Sequence, residues 1–245
     1  RSRGQGAGYK LQVTGGRSQV AGFREQEEGY KLQVTGGREA GFREQGKRER
    51  PVILDIGTGT GLLSLMLSQE LDIETDAVEI VQDAFEQATT NTANSPWHHK
   101  IHVIHSDILQ FQPSDKYELV ITNPPFFEND LKAQEPANNL ARHEVSLQLD
   151  GLFSFAAKWL SPGGYFAILL PANRRNKAVE TGMQNGLIVC NEVLVKQTTT
   201  HNPFRVMLLF QNQDCDSNKS ELVIKDMNQY TTEFRELLAP YYLQL

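Results

Sequence analysis

The sequence of 245 residues predicts an α/β protein built on a doubly wound sheet with helices on both faces. From residue 51 onward, short apolar runs alternate with segments of helical periodicity. The first run leads into a glycine-rich stretch, and acidic or amide side chains stand at the ends of the next three. Such a series buries a parallel sheet between helical layers, and its ligands bind beyond the carboxyl ends of the strands. The functional residues are therefore expected at that edge.

Seven segments are predicted as strands because they are short, rich in Val, Ile and Leu, and bounded by polar or turn residues. The first of them is a short apolar run that stops before Gly57, as expected of a strand that is buried on both faces. The seven are Val52–Ile56, Asp76–Ile80, Ile101–Ile104, Leu119–Ile121, Tyr165–Leu170, Leu187–Val195 and Val206–Phe210.

Four segments are predicted as helices. Apolar residues at helical spacing indicate the third, and Ser161–Gly164, with the sequence Ser-Pro-Gly-Gly, is expected to end it. The last has the pattern of an amphipathic helix. The four are Leu62–Leu71, Val81–Asn94, Leu147–Leu160 and Phe234–Tyr241.

Residues 1–50 differ in kind from residues 51–245, and the two are treated as separate units. The first unit holds 11 of the 19 glycines and none of the 10 prolines. Its decapeptide Gly8–Arg17 recurs letter for letter as Gly29–Arg38. Two copies are too few to stack as a solenoid, so no repeat architecture is expected. The second unit carries the predicted sheet.

The repeated decapeptide predicts two short strands, Tyr9–Val13 and Tyr30–Val34, each followed by a Gly-Gly turn. A hairpin of this size is marginal alone. Residues 1–50 are therefore expected to be either a basic flexible arm or a stretch foreign to the native sequence. They lack the apolar centre of a secretory signal.

The net charge of −6 hides an uneven distribution. Residues 1–50 carry 11 Lys and Arg against 6 Asp and Glu, whereas residues 51–245 carry 13 against 24. Because nucleic-acid binding depends on neutralising phosphates, a nucleic-acid partner of the second unit needs a local basic patch. Arg174–Lys177 is the one basic run there, and it is either a solvated helix face or a phosphate contact.

Composition excludes several classes of protein. No apolar run approaches the roughly 20 residues of a membrane helix, which excludes an integral membrane role. Cys190 and Cys215 lie far apart without CxxC spacing, which argues against a disulfide scaffold and predicts inert thiols in a reducing cytoplasm. No metal site is expected, because the four clustered histidines have no carboxylate at ligand spacing. They are His98, His99, His102 and His105.

The stretch Asp55–Gly61, Asp-Ile-Gly-Thr-Gly-Thr-Gly, predicts a turn that binds a nucleoside cofactor. Its glycines permit a tight turn and a close approach of the ligand. Glu79 ends the second strand, where an acidic side chain accepts hydrogen bonds from ribose hydroxyls. The spacing is G-x-G-x-G, whereas the dinucleotide fingerprint is G-x-G-x-x-G with its third glycine one position later. The pattern therefore favours a nucleoside cofactor other than NAD. Asp55 either supports the turn or reaches an amino group of the cofactor.

Asp107 follows the third strand and adds a carboxylate at an adjacent strand end. It is expected either to accept a hydrogen bond from an adenine amino group or to act as a plain loop residue or N-cap.

The fourth strand leads into Asn123–Phe126, with the sequence Asn-Pro-Pro-Phe. Two prolines hold the backbone and remove N–H donors, which leaves carbonyl groups free as acceptors. With the side-chain oxygen of Asn123 they form a rigid pair of acceptors for the two hydrogens of a planar amine. Phe126 can stack on a flat ring. A Pro-Pro turn that merely ends a strand is the alternative.

Taken together, these motifs resemble those of class I S-adenosylmethionine-dependent methyltransferases of the amino-methylating branch. Downstream stretches narrow the resemblance to the bacterial tRNA(Val) adenine-N6 methyltransferase family, over about residues 51–245. That family usually begins with an aromatic and basic segment and a Lys-Val-Gly-Thr-Asp-Gly stretch, which residues 1–50 lack. The stretches are Asn123–Phe127, Ala141–Glu144, Leu147–Gly164, Leu222–Ile224 and Tyr230–Leu243.

The resemblance implies a Rossmann-like methyltransferase fold, with a seven-stranded, mostly parallel sheet and an antiparallel C-terminal strand. It implies S-adenosylmethionine as cofactor and N6 of an adenine next to the anticodon of a valine tRNA as methyl acceptor. The catalytic residues would be Asn123, Pro124 and Phe126. The cofactor-binding residues would be Asp55, Gly57, Thr58, Gly59, Gly61, Glu79, Asp107 and Ile108. The substrate-binding residues would be Pro125, Phe127, Arg142 and His143.

Other functions remain open at this point. The same Asn-Pro-Pro-aromatic motif also serves methyltransferases that act on protein glutamine or on DNA amino groups. A non-catalytic RNA-binding module is a further alternative. We expect a cytoplasmic monomer with a tRNA partner, without a membrane or a metal ion.

Overall fold

The computed structural model describes residues 10–16, 22–26, 29–37, 52–124 and 149–242. In the first 50 residues it contains a small sheet, with strand order β1-β3-β2. The two copies of the repeat pair in parallel and in register, so that Lys10 lies opposite Lys31. The two predicted strands are thus present, but each continues through the Gly-Gly pair that was predicted as a turn, so that part of the expectation was wrong. The three strands are β1 (Lys10–Gly16), β2 (Gly22–Gln26) and β3 (Gly29–Gly37).

The main sheet has nine strands where seven were expected, and this expectation was wrong. Its order is β12-β11-β9-β10-β8-β7-β4-β5-β6, and β10 runs antiparallel to both of its neighbours. The strands are β4 (Ile53–Ile56), β5 (Thr75–Glu79), β6 (Ile101–His105), β7 (Tyr117–Thr122), β8 (Leu160–Pro171), β9 (Ile188–Thr198), β10 (Arg205–Gln211), β11 (Asn218–Asp226) and β12 (Gln229–Tyr230).

The two additional strands, β11 and β12, lie at one edge of the sheet. β11 pairs in parallel with β9, and β12 pairs antiparallel with β11. β11 has an apolar run of only three residues, Leu222–Ile224, with polar residues on both sides, and β12 pairs with just its last two residues, so most of β11 is an open edge. Because this run is short and flanked by polar residues, β11 was not predicted as a strand.

Helices cover both faces of the sheet, as expected of a doubly wound fold. One apolar cluster joins α3 and α4 to one face, and a second joins α1 to the other. The helices are α1 (Leu62–Glu70), α2 (Gln82–Ala93), α3 (described over 149–159), α4 (Arg175–Gln184) and α5 (Thr232–Leu238). No helix in the described part of the chain has the length and apolar character to span a membrane.

Ser161–Gly164 lies inside β8 and forms a bulge, whereas the sequence predicted that this stretch only ends a helix. Leu160 of β8 lies opposite Tyr117 of β7, and the next paired residue of β8, Tyr165, lies opposite Leu119. Between these two pairs β8 advances five residues while β7 advances two. Gln211 donates a hydrogen bond to the carbonyl of Gly163. Asn212 accepts a hydrogen bond from the N–H of Gly163 and donates one to the carbonyl of Ser161. Two side chains from the end of β10 thus hold the bulge.

Cys190 and Cys215 form a disulfide, so the expectation of inert, unpaired thiols was wrong. Their Cα atoms lie 5.6 Å apart although 25 residues separate them in sequence. The chain returns after β10 to begin β11 beside β9, with Asn218 opposite Asn191. This pairing brings the loop that carries Cys215 back to Cys190, and sequence spacing alone could not show it.

Three aromatic rings form the centre of the larger core cluster. Phe153 of α3 meets Phe166 of β8 and Phe210 of β10 edge to face, with ring centroids 5.0 Å apart in both pairs. Gly182 of α4 lies against this group, and a Cβ atom there would stand 2.6 Å from an edge carbon of Phe210. The position therefore has no room for a methyl group.

Gly182→Ala is expected to lower the free energy of unfolding by about 1–2 kcal/mol, because the cost of overpacking exceeds the gain in helix propensity. Gly151→Ala in α3 is the matched control. Its new methyl group meets only the end of the flexible, exposed Leu109 side chain, so we expect no loss of stability. Urea denaturation measures both variants, and equal stability of the two would contradict the packing argument.

Candidate active site

Four neighbouring strands in the order β7-β4-β5-β6 end side by side at one edge of the sheet. They are parallel, and their last residues lie in register, with Ile56 opposite both Val78 and Thr122. The predicted site residues Gly57, Glu79, Asp107 and Asn123 stand at or within two residues of these ends. The structure thus brings the four predicted positions together at this edge.

The turn after β4 has the backbone that its glycines suggest. Gly57, Gly59 and Gly61 have φ values of 66°, 61° and 84°, a region that side chains other than glycine rarely adopt. A Cβ atom placed on Gly57 or Gly59 would meet no atom within 4 Å. The space above the turn is therefore open, and a ligand can approach the main chain there.

Backbone and side-chain hydrogen bonds hold this turn in place. The N–H groups of Gly57 and Thr58 both donate to the carbonyl of Val78 in β5, at 2.8 and 3.1 Å. The hydroxyls of Thr58 and Ser64 both donate to Asp55 Oδ2 at 2.7 Å. The turn is thus tied to its own strand, to the next strand and to the first turn of α1. Sequence reasoning missed Ser64, although a small polar residue three positions after Gly61, among the apolar residues of a predicted helix, was a usable signal.

Asp55 is fully buried, and its second carboxylate oxygen, Oδ1, has no hydrogen-bond partner among the described residues. Burial raises the pKa of Asp55, although the hydrogen bonds from Thr58 and Ser64 oppose this. A buried oxygen without a donor suits the ammonium group of an amino acid, so these residues fit the methionine end of S-adenosylmethionine. The turn also depends on Asp55, so both roles expected for it are compatible.

Glu79 ends β5 as predicted, but three backbone N–H groups already bind its carboxylate. Gly59 donates to Oε2 at 2.8 Å, while Ile80 and Val81 both donate to Oε1 at 2.9 Å. A carboxylate has about four acceptor positions, so one remains, on Oε2. Glu79 therefore has one acceptor position for a ribose hydroxyl while it also supports the glycine turn.

Asp107 caps a short turn after β6. Its Oδ1 accepts the N–H of Leu109 at 2.9 Å, which is the N-cap role that the sequence left open. Its Oδ2 has only a long contact of 3.5 Å with the Gln110 side chain, so this oxygen can accept a further donor. Ile108 packs against the larger core cluster, which holds its backbone at this edge.

Exposed apolar side chains surround these polar groups, and sequence reasoning did not single them out. The side chains of Leu62, Ile80, Val81 and Leu109 are between 56% and 60% exposed. Leu62 begins α1 after the glycine turn, and the other three follow Glu79 or Asp107 within two residues. Apolar side chains beside a few convergent polar groups are typical of small-molecule sites. Apolar residues directly after Glu79 and Asp107 were the available signal.

Asn123 follows β7 directly and is exposed at the same edge. The Thr122 hydroxyl donates to the carbonyl of Ile56 at 2.9 Å, which ties the end of β7 to the residue before the glycine turn. Asn123 and Pro124 thus stand one strand away from the turn. The other residues predicted for catalysis or substrate binding lie outside the described residues. They are Pro125, Phe126, Phe127, Arg142 and His143.

The clustered histidines have ordinary structural contacts. His102 pairs with Glu74 at 2.7 Å, and His105 stacks on Phe85 with its Nε2 3.0 Å from the carbonyl of Ile80. Across residues 52–124 and 149–242 no three His, Cys, Asp or Glu side chains are placed to hold a metal ion.

The fold and the site together define a Rossmann-like methyltransferase. A crystal structure of a predicted O-methyltransferase from Agrobacterium tumefaciens has the same fold, with a TM-score of 0.61 and 14% identity. The alignment covers 80% of this chain and 92% of that chain. The family model of the methyltransferase small domain matches residues 43–200.

Two curated relatives show which family of methyltransferases the chain resembles. A tRNA1(Val) (adenine(37)-N6)-methyltransferase of Phocaeicola vulgatus is 34% identical over 194 residues, which is 79% of this chain and 83% of the relative. An enzyme of the same name from Tolumonas auensis is 36% identical over 196 residues, covering 79% and 82%. The chain belongs to the methyltransferase small domain family and, within it, to the family of these bacterial tRNA1(Val) (adenine(37)-N6)-methyltransferases. The family resemblance read from the motifs is confirmed.

Glu79→Gln is expected to weaken S-adenosylmethionine binding at least about tenfold, because hydrogen bonds to a charged group contribute about 1.5–3 kcal/mol. A glutamine keeps one acceptor oxygen and turns an NH₂ group toward a backbone N–H. Titration calorimetry measures the affinity. Glu74→Gln, just before the start of the same strand, is the control and should bind normally; equal affinity of both variants would contradict the role of Glu79.

Asp55→Asn is expected to change how stability depends on pH. Because burial raises its pKa, Asp55 binds a proton more tightly in the folded state than in the unfolded state, where the ordinary value is 3.8. Its contribution to stability is therefore lost as pH rises above about 4. Asparagine can keep both hydroxyl hydrogen bonds on its oxygen and does not titrate. Urea denaturation from about pH 4 to pH 8 measures the free energy of unfolding of both proteins. The value for Asp55→Asn minus the value for the wild type should increase with pH. A difference that stays constant over this range would refute the prediction.

Proposed function

We infer that this protein transfers a methyl group from S-adenosylmethionine to N6 of an adenine in tRNA, at adenine 37 beside the anticodon of a valine tRNA. The names of its relatives and its family membership support the reaction and the substrate. The observation that carries the proposal is the place of Asn123 and Pro124 at the end of β7, one strand from the open glycine turn.

The proposed cofactor site follows from the groups at this edge. S-adenosylmethionine supplies an electrophilic methyl group on a sulfonium when it is bound. Asp55 and the turn Gly57–Gly61, which includes Thr58 and Gly59, would hold its methionine end. Glu79 would accept from the ribose, and Asp107 with the N–H of Ile108 would hold the adenine. The free acceptor positions on Asp55, Glu79 and Asp107 support these roles.

The proposed chemistry is that of a weak nucleophile held in position. The lone pair of an adenine amino group is delocalised into the ring, so the amine attacks poorly while it is planar. Acceptance of its two hydrogens by the Asn123 side-chain oxygen and the Pro124 carbonyl favours a pyramidal nitrogen. The lone pair then points toward the cofactor side of the edge. This mechanism relies on positioning and charge stabilisation, and the proton leaves to solvent afterwards.

The remaining substrate contacts stay predictions. Phe126 would stack on an adenine turned out from its neighbours. Pro125, Phe127, Arg142 and His143 would line the entrance for the RNA. Their positions in the chain, directly after Pro124 and before α3, support a place on the substrate side.

The proposal extends to organisation and location. The catalytic unit is residues 51–245, since every cofactor residue named above lies within it, and residues 1–50 form a separate segment. The protein acts as a monomer in the cytoplasm, where its tRNA substrate is found. Gel filtration with light scattering measures the mass in solution.

Asn123→Ala is expected to lower the rate of methyl transfer to tRNA by at least about 100-fold, because one of two positioned acceptors is lost. Cofactor affinity should stay close to wild type, since Asn123 is not among the cofactor residues. Asn94→Ala, an exposed asparagine at the end of α2, is the control and should retain full activity. Transfer of labelled methyl groups to bulk tRNA measures the rate, and near-normal turnover by Asn123→Ala would disprove the assignment.

The same assay separates the rival substrates. Wild-type enzyme should label tRNA and leave a release-factor protein and duplex DNA unlabelled. Labelling of the protein or the DNA in preference to tRNA would replace the proposed substrate. Cofactor binding without labelling of any of the three would favour the non-catalytic RNA-binding module.

A further inference from the structure

We propose that Phe204, Arg205, Arg174 and Lys177, here called the Phe204 platform, bind RNA nucleotides that flank the target adenine. This inference rests on the proposed function, because it assumes an RNA substrate at Asn123. The platform is built from the end of β8, the start of α4 and the turn between β9 and β10. It is separate from the cofactor residues at the ends of β4, β5 and β6.

The sheet places the platform at the catalytic edge. Thr122 lies opposite Ile168 in β8, and Pro171 of β8 lies opposite Arg205 in β10. Asn123 is therefore level with Leu169 of β8, and Phe204 is level with Ala172, which follows β8. Phe204 is thus two strands away from Asn123 across the sheet and about three residues away along the strand direction. At about 4.8 Å per strand and 3.3 Å per residue, the two backbones are about 14 Å apart. This separation suits a neighbouring part of the same RNA loop and excludes contact with the target base itself.

Phe204 is an exposed aromatic ring on a rigid backbone. Its N–H donates to the carbonyl of Val195 at 3.0 Å, and its carbonyl accepts the N–H of Ala172 at 3.1 Å. These bonds tie Phe204 to β9 on one side and to the end of β8 on the other. Its side chain is nevertheless 40% exposed. A ring presented in this way needs little ordering before a base stacks on it.

Arg205 adds a cation to the ring. Its guanidinium carbon lies 5.5 Å from the centroid of the Phe204 ring. An aromatic ring paired with arginine is a recurring element of sites for unpaired nucleotides, since every base can stack and every phosphate is negative. The pair does not read base identity, so it would hold the RNA loop in place while Asn123 acts on the target.

The charge distribution favours RNA at this place. Residues 174–205 carry five Lys and Arg against two Asp and Glu, while residues 51–245 as a whole carry 13 against 24. Most of the catalytic unit therefore repels phosphate, and this segment, which runs through α4 and β9 to the first residue of β10, is an exception. An acidic peptide is a less suitable partner, because it offers no flat ring for Phe204.

The basic run Arg174–Lys177 divides into two roles. Arg175 binds the carboxylate of Glu192 through two nitrogens, at 2.5 and 3.0 Å, and Lys219 reaches the other oxygen at 3.0 Å. Burial opposes ionisation of Glu192, but hydrogen bonds from Arg175 and Lys219 outweigh it and lower the pKa of Glu192. Arg175 is thus a structural partner that joins α4 to β9. Arg174 and Lys177 are both partly exposed at the same end of α4, so their positive charges are within reach of phosphates at the surface.

The test measures binding of full-length protein to a fluorescent RNA hairpin with the anticodon stem and loop of a valine tRNA. Phe204→Ala should weaken binding about tenfold, and Phe204→Trp should restore it, because tryptophan also stacks. Arg174→Gln and Lys177→Gln should each reduce the slope of log affinity against log salt by about 0.7. The controls are Met183→Ala, an exposed apolar residue near the end of α4, and Lys158→Gln in α3, which should bind RNA normally.

Wild-type hairpin affinity in Phe204→Ala, or an unchanged salt slope in both cation variants, would overturn the platform. Weaker binding by Met183→Ala and Lys158→Gln to the same extent would also overturn it, since the effect would not be local. Calorimetric titration with S-adenosylmethionine should give wild-type affinity in every variant, which shows that the fold is intact. The proposed function fails separately, if wild-type protein binds the hairpin but transfers no methyl group to tRNA.

Discussion

The Asp55 carboxylate accepts hydrogen bonds from the Thr58 and Ser64 hydroxyls, and through them it holds the glycine turn against the end of β4. The turn has three residues at positive φ and no side chains over its open face, so these bonds and the Val78 carbonyl determine its shape. Burial of a carboxylate is unfavourable, and the raised pKa of Asp55 shows it. The protein tolerates this cost where the turn must be both rigid and open to a ligand.

Glu79 depends on the same turn, because the N–H of Gly59 is one of its three donors. Its other two donors, Ile80 and Val81, follow it directly in sequence. One carboxylate thus joins the end of β5 to the glycine turn and still offers an acceptor position. A change at either position therefore affects support of the turn and the proposed cofactor contact together.

The charge pattern has a structural meaning once the sheet is known. Carboxylates that face the cofactor edge belong to β4, β5 and the turn after β6, on one side of β7. The basic and aromatic groups of the Phe204 platform lie on the other side of β7, after the end of β8 and at the start of β10. The Asn-Pro sequence after β7 stands between them. An acidic protein can therefore carry separate places for a nucleoside cofactor and for RNA along one edge of a sheet.

By itself, the sequence determined the order of the strands from β4 to β10, because strands buried on both faces need continuous apolar runs. It also predicted α1, α2 and α3, but it missed α4, which has few apolar residues and buries small side chains such as Ala178. It also determined that Glu79, Asp107 and Asn123 meet, since parallel strands share one carboxyl edge. Only the tertiary structure decided the edge strands β11 and β12, the pairing of Cys190 with Cys215, and the place of Phe204 beside the end of β8. β12 follows β11 after only two residues, Met227 and Asn228, but with two residues of its own it is too short to be recognised from its sequence. The other features depend on which distant segments pair, and no local pattern encodes that choice, because hydrogen bonds between backbones are the same for every sequence.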